Sequence, residues 1–266
     1  MESVRFWRDP ALPCYELRQA INSRACYRAH SHPVLSIGKV DAGQSRLRVK
    51  GQREIALGAG DVVVIPAYLL HSCNPRPDQF WGYRMLYLDV PALLAVAGPV
   101  SLEQAELPFS VCQPHDRPGL ATRVDEAFDQ LSTVTTAAQK QATLLALLAQ
   151  LPHAPSERAT IPLWLQTLNL TLQSAMPQGL SLAQLAALSG KSRSSLLAAY
   201  GQHYGSTPHQ AIIDLRLNQA KQLLAQQQAV VSVALETGFT DQSHFSNAFK
   251  GRVAVTPQQY TRLLHR

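Results

Sequence analysis

TGFTDQSHFSNAFKG, residues 237–251, sets Phe245 and Phe249 four positions apart and surrounds them with Gln242, Ser243, His244, Ser246 and Asn247. Aromatic residues at i and i+4 share one face of an α-helix. The opposite face then carries many hydrogen-bonding groups and little charge, whereas an ordinary solvated face is rich in Lys and Glu. Gly238 precedes the helix, and Asp241 stands at the position of an N-cap. The stretch predicts a short helix, anchored by two buried rings, that offers an uncharged polar surface.

An earlier stretch repeats the pattern. From Gly190, Leu196 follows at +6, Tyr200 at +10 and Pro208 at +18; from Gly238, Phe245 follows at +7, Phe249 at +11 and Pro257 at +19. One extra residue in the turn accounts for the offset. An amphipathic helix precedes each glycine, SLAQLAALSG in one copy and SVALETG in the other. A tight turn between helices needs a residue at positive φ, which glycine supplies without strain. Ser192 and Asp241 are placed to cap the helix after each turn, and Thr207-Pro208 and Thr256-Pro257 each read as the N-cap and first residue of the next. The repeated unit is a helix-turn-helix, and PHQAIIDLRLNQAKQLLAQQ, residues 208–227, is long enough to bridge the two copies.

In a helix-turn-helix the second helix enters the DNA major groove, where base edges present donors and acceptors. That accounts for the polar face. Gln242, Ser243, His244, Ser246 and Asn247 are the expected base-reading residues of the second unit, with Lys250 and Arg252 on phosphates. The outward positions of the first unit are Arg193, Ser194, Ser195, Leu197 and Ala198. They are mostly small or apolar, which favours methyl contacts and shape readout. Charge agrees: residues 161–266 hold 8 Lys+Arg against 3 Asp+Glu, and residues 1–160 hold 16 against 15. The basic excess sits in the helical part, as a polyanion partner requires.

The first ninety residues read as β. HPVLSIGKV, SRLRVKG, REIALGAGD, VVVIP and FWGYRMLYLDV are short, rich in branched and aromatic residues, and broken by Gly, Pro and Asp. From about Pro91 the spacing turns helical, and PHAPSERATIP, residues 152–162, reads as a linker. The expected architecture is therefore α+β with two domains: a β-barrel over 1–92, helices over 93–151 that pair two subunits, a linker over 152–160, and an all-α DNA-binding domain over 161–266. No run of eighteen apolar residues is present, and the N-terminus lacks the apolar core of a secretory signal. Cys14, Cys26, Cys73 and Cys112 show no paired spacing, which fits reduced thiols in the cytoplasm.

Residues 180–264 resemble the AraC/XylS-type bacterial transcription regulators. The resemblance rests on LAQLAALSGKSRSSLLAAYGQHYGSTPHQAIIDLRLNQAKQLL and VSVALETGFTDQSHFSNAFKGRVAVTPQQY. It implies adjacent major-groove contacts on operator DNA, activation of transcription with RNA polymerase, and a homodimer governed by a small-molecule effector. The chain departs from the family at Ala198 and Asn247, often basic there, and at Ala254, usually glycine. The N-terminal part resembles a cupin-like sensor, through His30 and His32 in HSH and through GDVVVIPAYLLHSCN with His71. True cupins add a glutamate to such histidines and bind a metal; PVLSIGKVDAG, after His32, has none. We therefore expect a pocket without metal or other cofactor, lined by Arg28, His30, His32 and His71, with Trp81 or Tyr83 as an aromatic wall. Regular strand parity from Cys26 to His32 would aim these side chains to one side. A weaker likeness to sensors of amino-acid-related transport genes points to an amino-acid-like effector, whose carboxylate Arg24 or Arg28 would pair. The rival from another class is a metal-dependent cupin enzyme with a helical appendage.

Overall fold

The structure, a computed structural model, describes residues 3–49, 52–97, 110–133, 136–152, 161–175 and 178–264. The N-terminal part contains β1 (Ser3–Asp9), β2 (Leu12–Ser23), β3 (Leu35–Val49), β4 (Ile55–Gly58), β5 (Val62–Ile65), β6 (His71–Pro75), β7 (Trp81–Leu88) and β8 (Ser110–Cys112), with helices α1 (Val90–Ala97), α2 (Leu120–Ser132) and α3 (Ala137–Leu148). All pairings are antiparallel, in the order β1-β2-β7-β3-β5-β8, with β4 and β6 added to the far end of β3.

Two strands expected at 32–40 and 45–51 are one bent strand. β3 pairs with β7 as far as Gly43 and with β4 from Gln44 onward. Gly43 has φ +72°, and a Cβ there would meet the Phe80 carbonyl oxygen at 2.3 Å. The glycine turns the strand from one layer into the next without breaking the ladder. The stretch 93–151, read as purely helical, also contributes β8, which covers the edge of β5. Its three residues are too few for an alternation signal. Of the expected linker, residues 153–160 lie outside the described residues.

β2 is buried on both faces. Tyr15 and Leu17 point into a core shared with Phe128, Leu131 and Leu144 of α2 and α3, and the Tyr15 hydroxyl donates to the Leu131 carbonyl at 3.0 Å. Glu16 and Arg18 point the other way and are only 2% exposed. What covers them is the helical domain: α4 (Leu163–Ser174), α5 (Leu182–Ser189), α6 (Arg193–His203), α7 (Pro208–Ala225), α8 (Val230–Glu236), α9 (Gln242–Val253) and α10 (Pro257–Leu264).

The helical domain has two cores. Leu185, Leu196, Tyr200 and Tyr204 gather with α4, and Phe239, Phe245, Phe249 and Tyr260 gather with α7, α8 and α10. Phe6 of β1 belongs to the second, edge-on to Tyr260 at 4.9 Å between ring centres. A strand of the sensor thus completes the core of the second helix-turn-helix.

Candidate functional site

Both turn glycines take positive φ, +61° at Gly190 and +79° at Gly238. Ser192 accepts from the Ser195 amide and Asp241 from the His244 amide, so the expected N-caps begin α6 and α9. Leu196, Tyr200, Phe245 and Phe249 are fully buried. Their burial fixes helix phase, leaving Arg193, Ser194, Ser195, Leu197 and Ala198 exposed on α6 and Gln242, Ser243, His244, Asn247 and Lys250 exposed on α9, with Ser246 half-buried. Ala254 ends α9 at φ +60°, a left-handed position that explains the glycine usual there.

The far end of α9 is not free. The last carbonyls of a helix have no partner within it. Here the Arg28 amide donates to the Gly251 carbonyl at 3.0 Å, and the Arg18 guanidinium to the Val253 carbonyl at 2.8 Å. A cation at this end also complements the helix dipole. Arg252, expected on phosphate, instead bonds Asp214 of α7 at 2.6 Å and is largely buried. The other Asp214 oxygen accepts from the Ser31 amide and hydroxyl at 2.9 and 3.1 Å.

A buried ionic cluster lies beside this clamp. Glu16 of β2 meets Arg8 of β1 at 2.6 Å, Lys221 of α7 and the Tyr260 hydroxyl of α10. Burial by itself would raise the Glu16 pKa; Arg8 and Lys221 outweigh it and bring it down to about 2. For Asp214 burial wins over Arg252 and the Ser31 amide, and its pKa is raised. One carboxylate is fully compensated and the other is not.

Between the domains lies a cavity of about 50 Å³, lined by Glu16, Arg18, His30, His32, Tyr87, Asp214, Lys221 and Arg252 among others. His71 completes a trio with His30 and His32, with ring centres 4.8 to 6.0 Å apart. Burial lowers the pKa of His30 to about 4 and of His71 to about 3, and that of His32 falls well below the ordinary value, so all three are neutral at neutral pH. A larger groove of about 320 Å³, with Arg24, Arg46, Arg48 and Arg76, is set apart from the histidines and the helices that line the first. Despite its size, it has no lining residue from the helical domain and no direct means of acting on it.

Residues 185–263 match a helix-turn-helix domain family, and residues 16–150 match the AraC-like ligand binding domain family. The chain belongs to the AraC family. Among its relatives, the HTH-type transcriptional regulator YbfI of Bacillus subtilis is 27% identical over 221 residues, 81% of this chain and 80% of its own. The virulence regulon transcriptional activator VirF of Yersinia enterocolitica is 25% identical over 170 residues, 64% of this chain and 59% of its own. ToxT of Vibrio cholerae shares the fold, with a TM-score of 0.66 at 12% identity over 97% of this chain and 99% of that one. This AraC-family member is a ligand-responsive, sequence-specific DNA-binding transcription regulator.

Within this regulator the expected pocket residues divide. His30, His32 and His71 come together. Arg28 is exposed, and its side chain runs beside Gly251 of α9. Trp81 and Tyr83 stack on each other at 4.1 Å and do not line the interdomain cavity; Tyr87 does, with its ring 5.4 Å from His32. The parity argument for residues 26–32 also fails, since residues 24–34 form no strand and pair with the β6 backbone only through an isolated bridge from His30 to His71, with Tyr27 bonded to the Asn74 side chain. Cys26 is exposed and lines the outer groove.

Sequence reading missed Glu16, Arg18, Asp214, Lys221 and Tyr260. A signal was present in α7, where Asp214 and Lys221 sit among the apolar residues Ile213, Leu217, Ala220 and Leu224. Charged groups beside a buried stripe mark an interface, but not which surface covers it.

Proposed function

We propose that this regulator works as a cytoplasmic homodimeric activator in which the sensor sets the attitude of the second recognition helix. The observation that carries the reading is the clamp on α9: its base-reading face is open, and its last carbonyls are held by Arg28 and Arg18 of the sensor. Reading adjacent groove segments requires α6 and α9 to keep a set relation, and the clamp acts on α9. The VirF likeness supports activation, which implies a contact with RNA polymerase. The helical pair α2 and α3, packed on the outer face of the sheet, is the proposed dimer surface.

The effector enters at the interdomain cavity. At about 50 Å³ the cavity is far below the roughly 300–1,000 Å³ of ordinary ligand sites, so a ligand fits only by parting the domains. That links occupancy to the clamp. The lining carries both carboxylates and cations, which matches the ammonium and carboxylate of an amino-acid-like effector.

The test is selection of randomised duplex DNA by the full chain, followed by affinity measurements on DNA upstream of its own gene. The wild type should select two adjacent segments, and Asp214→Asn should bind with an affinity that candidate amino acids no longer change. Failure to select any sequence at low salt would overturn the reading.

A further inference from the structure

The outer groove, at about 320 Å³, falls within the roughly 300–1,000 Å³ of ordinary small-molecule sites. The far end of β3 supplies Arg46 and Arg48, β6 and the turn after it supply Asn74 and Arg76, and the segment before Tyr27 supplies Arg24 and Cys26. Four guanidiniums thus line one concavity, with Asp78 as the lining carboxylate among the described residues. Glu54 meets Arg48 at 2.6 Å and Arg46 at 3.7 Å. The hydrogen bond from Arg48 lowers the Glu54 pKa, and the charges of Arg48, Arg46 and Arg76 add to it, so the three cations act at one place. Arg46 Nε is buried and has no hydrogen-bond partner among the described residues, although buried donors ordinarily have one. Pro75 and Pro77 fix the backbone on both sides of Arg76, and the Gln79 amide closes the turn on the Arg76 carbonyl at 3.1 Å. A lip held in this way needs little ordering when a ligand arrives.

We propose that this groove binds phosphate, free or as the ester of a small molecule, on Arg46, Arg48 and Arg76, at a site separate from the interdomain cavity. A phosphate monoester carries about −1.5 to −2 charges at neutral pH and three acceptor oxygens, so it engages several guanidiniums at once. A carboxylate has one charge and two oxygens, which a single bidentate arginine satisfies. The cation excess of the groove therefore suits phosphate better. The groove is larger than the anion needs, and Pro75 and Pro77 offer apolar surface to an organic body. Arg24 adds a flat wall, with its guanidinium 4.0 Å from the centre of the Phe80 ring.

The groove reaches α9 indirectly, through Asn74. That side chain accepts from the Tyr27 amide at 2.6 Å and donates to the Tyr27 carbonyl at 3.1 Å. The Tyr27 hydroxyl accepts from Arg18 at 2.6 Å, and Arg18 holds the Val253 carbonyl; the next residue, Arg28, holds that of Gly251. An occupied groove fixes Asn74 and so stiffens Tyr27, to which both clamp bonds are tied. This second half rests on the clamp described above, whereas phosphate binding itself does not.

The experiment alkylates the full chain with iodoacetamide, a neutral reagent, and follows Cys26 by mass spectrometry at constant ionic strength. Cys26 is exposed in the groove, whereas Cys14 and Cys112 are buried and Cys73 is half-buried. Inorganic phosphate and glycerol 3-phosphate should each slow the alkylation of Cys26 saturably, and malonate should not. Stronger protection by glycerol 3-phosphate assigns the ligand as an ester, and equal or weaker protection assigns it as free phosphate. Arg76→Gln should weaken binding roughly ten- to a hundredfold, as the loss of one charge-assisted hydrogen bond does, with unchanged circular dichroism. Arg193→Gln, on the first recognition helix, should leave it unchanged. No protection in the wild type, equal protection by malonate, or full protection in Arg76→Gln overturns the site. Protection of Cys26 by duplex DNA without phosphate assigns the groove to the DNA backbone and also overturns it. Hydrogen exchange tests the coupling: phosphate should raise protection at the Tyr27 and Arg28 amides, and a rise at Tyr27 alone overturns that half. Asp214→Asn, which tests the interdomain cavity, should leave the protection of Cys26 unchanged, so the two readings fail separately.

Discussion

The two helix-turn-helix units are built alike and held differently. Each has a capped recognition helix, a glycine turn and a buried residue pair four apart. The first meets the sensor through a long backbone bond from Leu70 to Tyr204 at 3.4 Å and a Tyr68–Tyr204 ring contact at 6.1 Å. The second shares a core with Phe6 and has the C-terminal end of α9 bonded by Arg18 and Arg28. Local sequence suffices to make a recognition helix; in the function proposed above, what regulates it is the partner its far end is given.

The largest expected effect tests whether the units really are equivalent inside. Phe249→Ala should cost about 3–5 kcal/mol, and Leu196→Ala about 2–5 kcal/mol, in denaturant unfolding of the full chain. A Phe249→Ala protein of unchanged stability would show that α9 is held by the sensor alone.

Glu16→Ala attacks only the second unit. It leaves Arg8 and Lys221 buried without their carboxylate, and breaking such a pair costs roughly 3–5 kcal/mol. Limited proteolysis should then cut the 24–34 segment faster, with α6 unaffected. Acid should act in the same direction. A carboxyl at about 2 in the folded protein and 4.5 ordinarily stabilises fully above pH 4.5, and that stabilisation is lost as pH falls from 4.5 towards 2. Equal loosening of both units in Glu16→Ala would erase the distinction.

A smaller effect separates how the helices read DNA. Asn247 can bond adenine bidentately, so Asn247→Ala should relax one operator position by about 1–3 kcal/mol in selection experiments. Leu197→Ala in the first unit removes only apolar contact and should shift preference less.

The smallest effects concern phosphates. Lys250→Ala should weaken all sequences alike and reduce the salt slope by about one. Arg252→Ala should reduce it less while Asp214 holds the side chain. Equal slopes for the two variants would mean that the clamp opens on DNA.

The sequence by itself determined the two units, their caps and the phase of both recognition helices, whereas the gathering of His30, His32 and His71 was implied only by the likeness to cupin-like sensors. Units, caps and phase follow from short-range rules: 3.6-residue periodicity, glycine at positive φ and the hydrogen bonds of Ser, Thr and Asp at helix starts. Tertiary structure alone decided which side of β2 meets the helical domain, that Arg252 turns to Asp214, and that β3 is one strand bent at Gly43. The first two outcomes depend on pairings between Glu16 and Tyr260, Arg18 and Val253, and Ser31 and Asp214, and the third on Gly43 against Phe80, each far apart along the chain. No local pattern encodes them, because a buried charge records only that it must be compensated, and the compensating group is chosen by the packing of two complete domains.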